Sequence, residues 1–252
     1  MLRLIAFTTL AVPILAILFG VIEDAQYISR PKPKSLGAIQ DRRPSKTDDF
    51  GRFTKPLDII DYSWVSSSKL FNFTAFKHWD FRSICTSKYY IGVAIADFNY
   101  IGNAFFYIID RTDPNKKFYQ YASKSILAQA ITEQAGSSIS GCTQYYKSST
   151  EYIRFCYNKD KKIYEVDASV PIDNDLQVAF NFQFEYSDTN GQSMVLIYPV
   201  EQDRPVYTHK LAALPAHGKI KIGNKEQEIL ANGLSNLDWT LGYSERVTIW
   251  KW

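Results

Sequence analysis

The sequence predicts an all-β body, an antiparallel barrel or sandwich, preceded by one transmembrane helix. Three observations carry this. Aromatic residues make up 15% of the chain, with 17 Tyr and 16 Phe against 2 Met, and Tyr and Phe suit the pleated, half-buried surface of a strand. From residue 51 onward, short apolar or alternating segments are separated by Gly, Pro, Asn and Asp turn signals about every ten residues, the spacing of antiparallel all-β folds. Before them, Leu4 to Ile22 is an almost unbroken apolar run.

That run follows Met1-Leu2-Arg3 and, at ~1.5 Å per residue, extends roughly 28 Å as a helix, about one bilayer core. Its length, and its abrupt end at Glu23-Asp24 without a small-x-small pattern, favour an uncleaved anchor over a cleaved signal peptide. Pro13 would kink the helix, which membrane helices tolerate. Residues 23–50 are polar, carry Pro31, Pro33 and Pro44 and show no apolar period, so they read as a linker. The expected division is therefore an anchor over 1–22, a basic, Pro-containing linker over 23–50 and a β-rich domain over 51–252. Orientation stays open. Arg30, Lys32, Lys34, Arg42, Arg43 and Lys46 would keep the body in the cytosol by the positive-inside rule. Asn72-Phe73-Thr74 is instead a glycosylation sequon, with Asn72 the candidate acceptor in a lumen. The expected location is a single-pass protein of the endomembrane or secretory pathway.

Within the body, His78 to Ile84 alternates polar and apolar residues, the mark of a half-buried strand. Tyr89 to Phe98 is apolar up to Asp97 and predicts a strand buried on both faces, and Ala104 to Ile109 repeats that pattern. A turn at Asp110 to Lys116 leads to a strand over Lys117 to Tyr121, and Ser125 to Gln134 has helical character. Gly141 to Tyr157 reads as a hairpin. With Lys147 opposite Glu151, Cys142 faces Cys156, and facing positions bring Cβ atoms to about 4.5–5.5 Å, close to disulfide reach. In an oxidising lumen that bond would form and leave Cys85 free; in the cytosol all three stay reduced. Further strands are expected over Lys162 to Val170 and Leu176 to Tyr186, followed by a hairpin turn at Asp188 to Gly191. Others cover Ser193 to Val200, Val206 to Leu214, Gly218 to Ile222 and, across Gly223-Asn224, Glu226 to Leu230.

The last stretch, Asp238 to Trp252, reads as two short strands around a turn at Leu241-Gly242, since Gly adopts positive φ without steric cost. Asp238 then lies across from Arg246 and shares its face with Trp250 and Trp252. A charge pair beside two indoles suits a buried ion pair under an aromatic core, or the wall of a ligand pocket. Two acids stand out as candidate catalytic groups, Asp97 at the end of an apolar strand and Asp238 among aromatics. A carboxyl in an apolar pocket has a raised pKa and can serve as a general acid. Trp79, Tyr100, Asp238, Trp239, Arg246, Trp250 and Trp252 are the candidate ligand-binding residues.

Other chemistries are disfavoured. A net charge of +3, with Lys and Arg scattered among acids, argues against nucleic acid as a partner. There is no Cys-x-x-Cys and the 3 His are isolated, so no metal site is expected. No Gly-rich phosphate loop or Gly-x-Ser-x-Gly elbow points to a cofactor or an acyl nucleophile.

Two blocks of residues resemble a known family. Phe76-Lys77-His78-Trp79-Asp80-Phe81, Val93 to Gly102 and Phe106 to Arg111 resemble the start of the domain of unknown function 2804 family. His217-Gly218-Lys219-Ile220, then Asp238-Trp239-Thr240-Leu241-Gly242 and Arg246 to Trp252 resemble its Asp-Trp-x-x-Gly and Arg-x-x-x-Trp-x-Trp centre, with Leu241 where the family carries a basic residue. The resemblance covers residue 51 to the end. It implies a lipocalin-like, calycin-type barrel and, in the family, a chain that continues past Trp-x-Trp; the expectation is that a C-terminal part is missing here, the alternative that the protein ends early. The function expected from all this is a membrane-tethered β-domain that binds an apolar or lipid-like small molecule without a cofactor. The alternatives are a cofactor-free enzyme protonating an isoprenoid or lipid double bond, as a hydratase or cyclase would, and a scaffold for a protein partner.

Overall fold

A computed structural model describes residues 50–63, 65, 69–115, 118–172, 176–186, 193–199 and 204–244, with the backbone of 39–40. All belong to the compact unit Leu36–Trp252. In chain order the strands are β1 (Ile39–Gln40), β2 (Gly51–Phe53), β3 (Phe76–Cys85), β4 (Tyr89–Asp97), β5 (Ile101–Asp110), β6 (Phe118–Ile126) and β7 (Ile131–Glu133). They continue with β8 (Gly141–Ser148), β9 (Glu151–Asn158), β10 (Ile163–Pro171), β11 (Gln177–Glu185), β12 (Met194–Pro199), β13 (Pro205–Ile222) and β14 (Glu228–Tyr243). One short helix, α1 (Lys69–Ala75), precedes β3. Among the described residues no helix is long and apolar enough to cross a membrane; the apolar run Leu4 to Ile22 lies outside them.

The strands join into one sheet, antiparallel except where β1 meets β2, in the order β6-β5-β4-β3-β14-β13-β11-β10-β9-β8-β7. Its spine is the long pair β13–β14, which the sequence presents as several short segments. Breaks in register between Leu211 and Leu214 and between Ala216 and Gly218 bend β13, as bulges do. The bend lets one edge of β13 take β12 along Pro205 to Lys210 and β11 along Ala216 to Ile222. Leu176–Tyr186 and Ser193–Val200 therefore do not form the expected hairpin: β11 and β12 lie end to end along β13 instead of pairing with each other. The turn Asp188 to Gly191 itself lies outside the described residues.

The sheet curls until its two halves share one core, giving a half-barrel. Phe106 of β5 meets Phe180 of β11 edge-on at 5.3 Å. Tyr121 of β6 donates to Glu151 at 2.9 Å, and the hydroxyls of Ser123 and Tyr145 are 2.9 Å apart. β4 is buried along Ile91 to Ala96, on both faces as expected. Ser125 to Gln134 is not helical. It completes β6, turns, and becomes β7, which pairs with β8. The β8–β9 hairpin places Cys142 opposite Cys156, and a disulfide joins them. The turn differs in one detail: Ser148, not Lys147, faces Glu151, because the register shifts between Tyr146 and Ser148. Lys147 still reaches Glu151 as an ion pair at 3.0 Å.

The expected turn at Gly242 is also absent. β14 runs straight through it, paired with Lys77 of β3 on one side and Val206 of β13 on the other. Gly242 is required for close approach, since a Cβ there would lie 2.3 Å from the Pro205 carbonyl oxygen.

A polar constellation inside the half-barrel

β3 alternates with its polar face inward. His78, Asp80, Arg82 and Ile84 are buried, while Trp79 and Phe81 lie half-buried on the outer face. The period is the one expected of a half-buried strand; the phase is inverted. Register then aligns Val195, His209, Trp239, Asp80, Ile95, Ala104 and Ser123 across β12, β13, β14, β3, β4, β5 and β6, so their side chains share the inner face.

Arg82 is the most connected group of this interior. It donates to both carboxylate oxygens of Asp80 at 3.1 and 3.2 Å, a bidentate, charge-assisted pair. Its Nη1 also donates across the barrel to the carbonyls of Cys156 at 3.1 Å and Glu165 at 2.9 Å. The guanidinium lies 4.8 Å from the Phe155 ring centroid and 5.3 Å from that of Tyr164. Burial raises the Asp80 pKa, against the lowering pull of Arg82.

Beside this pair, Gln134 links two strands. Its amide nitrogen lies 3.0 Å from His78 Nδ1 and donates to Asp97 Oδ2 at 3.2 Å. With Nδ1 accepting, the ring proton of His78 resides on Nε2. The same ring meets Trp239 edge-on at 4.8 Å, and Trp239 meets Tyr207 at 5.7 Å. Burial, reinforced by Arg82, lowers the His78 pKa to about 3, so the ring is neutral. Burial alone does the same to His209, again to about 3. His209 is held by Ser138 Oγ at 2.9 Å and Ser193 Oγ at 3.3 Å, and Tyr186 shares Ser193 at 2.7 Å. Asp97 has its pKa raised by burial, opposed by bonds from the Asn99 backbone and from Gln134.

Among the described residues, three buried groups in this interior have no partner: His78 Nε2, Trp239 Nε1 and the Tyr164 hydroxyl. Two are N–H donors and the third can donate. A buried donor without an acceptor costs about 1–3 kcal/mol, so three in one interior call for an explanation. Among the described residues no cluster of three His, Cys, Asp or Glu could hold a metal ion.

The described residues expected to form a site are thus dispersed. Trp239 joins the interior, and half-buried Asp97 lies at its rim. Asp238 points to the outer face and pairs with Lys210, its register partner. The reading of Asp238 as an acid among interior aromatics is corrected by the same alternation that turns Trp239 inward. Trp79 packs on Phe105 outside the barrel at 5.8 Å, and Tyr100 sits in the β4–β5 turn against Phe98 and Phe73. Asn72 lies in α1. Arg246, Trp250 and Trp252 lie outside the described residues. Sequence reasoning did not single out Asp80, Arg82, His209, Tyr164 or Gln134. One signal was available for β3: Ile84 has the parity of His78, Asp80 and Arg82, so burying Ile84 buries all three.

The family model Domain of unknown function (DUF2804) matches residues 44–252, and the chain belongs to that family. No curated protein matches. Among solved structures, the chain is similar to a protein from Nitrosomonas europaea provisionally assigned as AttH, at 14% identity and a TM-score of 0.40. That match covers 76% of this chain and spans 58% of the other.

Proposed function

We propose that this member of the domain of unknown function 2804 family binds a largely apolar small molecule bearing a hydrogen-bond-accepting oxygen, held inside the half-barrel. The observation that carries it is the set of buried groups without a partner among the described residues, His78 Nε2, Trp239 Nε1 and Tyr164 OH, in a core of aromatic and aliphatic side chains. An oxygen acceptor would satisfy what the protein leaves open, and the aromatic wall would take the apolar remainder. Neutral His78 and neutral Tyr164 suit an uncharged oxygen, such as a carbonyl, hydroxyl or ether, better than an anion. A closed, calycin-type barrel belongs to the same proposal. So does anchorage through Leu4 to Ile22. The Cys142–Cys156 disulfide supports an oxidising, lumenal side for the β-domain. Native mass spectrometry of the full chain extracted from membranes tests the binding claim. A bound small molecule that is lost in Trp239→Phe is expected; a bare mass in every preparation refutes it.

A second reading rests on Asp97. Its raised pKa and its link through Gln134 to His78 suit a proton donor to a bound double bond. The carboxyl proton would pass to one alkene carbon, water would add to the other, and the water's proton would return to Asp97. Asp97→Asn should then retain the ligand and abolish turnover of hydratable polyenes; turnover that survives it rules this reading out.

A further inference from the structure

We propose that the end of the half-barrel carrying the β4–β5 and β6–β7 turns docks on an anionic lipid surface. This deepens the ligand-binding reading, on which it rests, by naming the medium from which an apolar ligand reaches His78 and Trp239.

The β6–β7 turn exposes two adjacent aliphatic side chains, Ile126 at 78% and Leu127 at 56%. Its backbone is strained as well. Leu127 and Ala128 both have left-handed φ, 51° and 52°, where tight hairpins use Asn-Gly and a Cβ crowds the following carbonyl oxygen. Packing does not account for Leu127 here, because the strain presents the side chain to solvent. Strain of this kind, held in place by its surroundings, points to function. The surroundings are visible: Gln129 N donates to the Ile126 carbonyl at 3.2 Å, and Leu127 N donates to the Tyr100 carbonyl at 3.0 Å, stitching this turn to the β4–β5 turn. There Asn99, also left-handed at 62°, donates from its side chain to the Phe73 and Phe76 carbonyls at 3.3 and 3.4 Å. Phe98, Tyr100 and Phe73 stack into a half-buried aromatic shoulder beside the aliphatic tip.

Charge follows the same geometry. Lys124 is exposed on the face of β6 that carries Ile126, and Lys77 Nζ lies 5.9 Å from the Phe98 ring centroid. Among the described residues, Glu133 pairs with Arg154 at 3.9 Å and Asp97 accepts from Asn99 N and Gln134. Aliphatic tips, aromatics and cations gathered at one end are the groups of an interfacial anchor on anionic lipid. The patch is a pair of turn tips, whereas a stable protein partner needs a surface of about 800 Å² per side. The same end leads to the interior, since Gln134 of this rim, which donates to Asp97, also lies 3.0 Å from His78 Nδ1.

The test uses the full chain in phosphatidylcholine vesicles with and without phosphatidylserine, with Cys85→Ser to leave the disulfide intact. An environment-sensitive fluorophore is placed at Leu127→Cys or, as reference, at Phe118→Cys on the far end of β6. The expected result is a blue shift and quenching by spin-labelled lipid at position 127 and neither at position 118. Lys124→Gln should lower the docked-to-undocked ratio about five-fold, as one cation near an anionic surface implies. Equal, solvent-like signals at the two positions would overturn the proposal, as would burial of position 127 that tracks protein concentration without lipid, the signature of a second copy. Failure to dock while the native mass still carries a ligand sinks this proposal alone, whereas docking with a bare mass sinks the ligand reading.

Discussion

Replacing Arg82 with Met is the sharpest test of how the interior is held together. The side chain gives up four hydrogen bonds, two to Asp80 and one each to the Cys156 and Glu165 carbonyls, and two ring contacts. Asp80, fully buried, is left without its counter-ion. Removing one partner of a buried ion pair costs about 3–5 kcal/mol, most of it the penalty on the charge left behind. That loss depends on pH. Burial already holds the Asp80 pKa above its ordinary value, so the folded state keeps the proton to higher pH than the unfolded chain. The contribution is therefore complete below about pH 4, the unfolded carboxyl range, and is lost as pH rises through the folded value. Without Arg82 that folded value climbs further, so Arg82→Met should lose progressively more stability from about pH 4 to neutrality. Denaturant unfolding monitored by tryptophan fluorescence at several pH values measures this. Asp80→Leu combined with Arg82→Met should recover at least half of the loss, since an apolar pair leaves no stranded charge. If Arg82→Met unfolds like the parent, or the double variant is no better than the single one, the buried pair does not organise this core.

Three further outcomes are expected. The two interior histidines, both held near pKa 3 against an ordinary 6.5, bind fewer protons folded than unfolded; their stabilisation is full above about pH 6.5 and is lost as pH falls toward about 3. His209→Gln should flatten the acid limb of the stability profile, and an unchanged limb would contradict the burial of His209. Cys142→Ser with Cys156→Ser should cost up to about 3 kcal/mol, because the bond closes a loop over a sequence separation of 14 residues; a parent that unfolds identically with and without reductant would show the bond to be inert. Gly242→Ala should destabilise by more than 1 kcal/mol, as its Cβ would meet the Pro205 carbonyl at 2.3 Å; an unchanged unfolding midpoint would mean β13 and β14 do not approach as described.

The class of fold was legible because strand signals are local. Tyr89 to Asp97 announces a doubly buried strand by composition, and the Cys142–Cys156 facing follows from counting back from a hairpin turn. What was illegible depends on which face turns inward and which strands meet. Alternation over His78 to Ile84 is symmetric: it shows a half-buried strand without saying that the polar half is the buried one. Burial of Asp80 and Arg82 is sustained by carbonyls on β9 and β10, more than 70 residues away, which no local window contains. Gly242 misled in the opposite sense. Glycine serves both turns and close backbone approach, and only the passage of β13 beside it decides which. That choice moved Asp238 outward to Lys210 and Trp239 inward to His78.

The central claim is that Trp239 and His78 hold donors in readiness for a ligand oxygen. The indole N–H resonance of Trp239, assigned by its disappearance in Trp239→Phe, reports this directly in ¹⁵N-tryptophan-labelled protein. A marked downfield shift of that proton is expected in the membrane-extracted protein, lost when organic extraction strips the bound molecule. A Trp239 indole signal identical before and after stripping would contradict it.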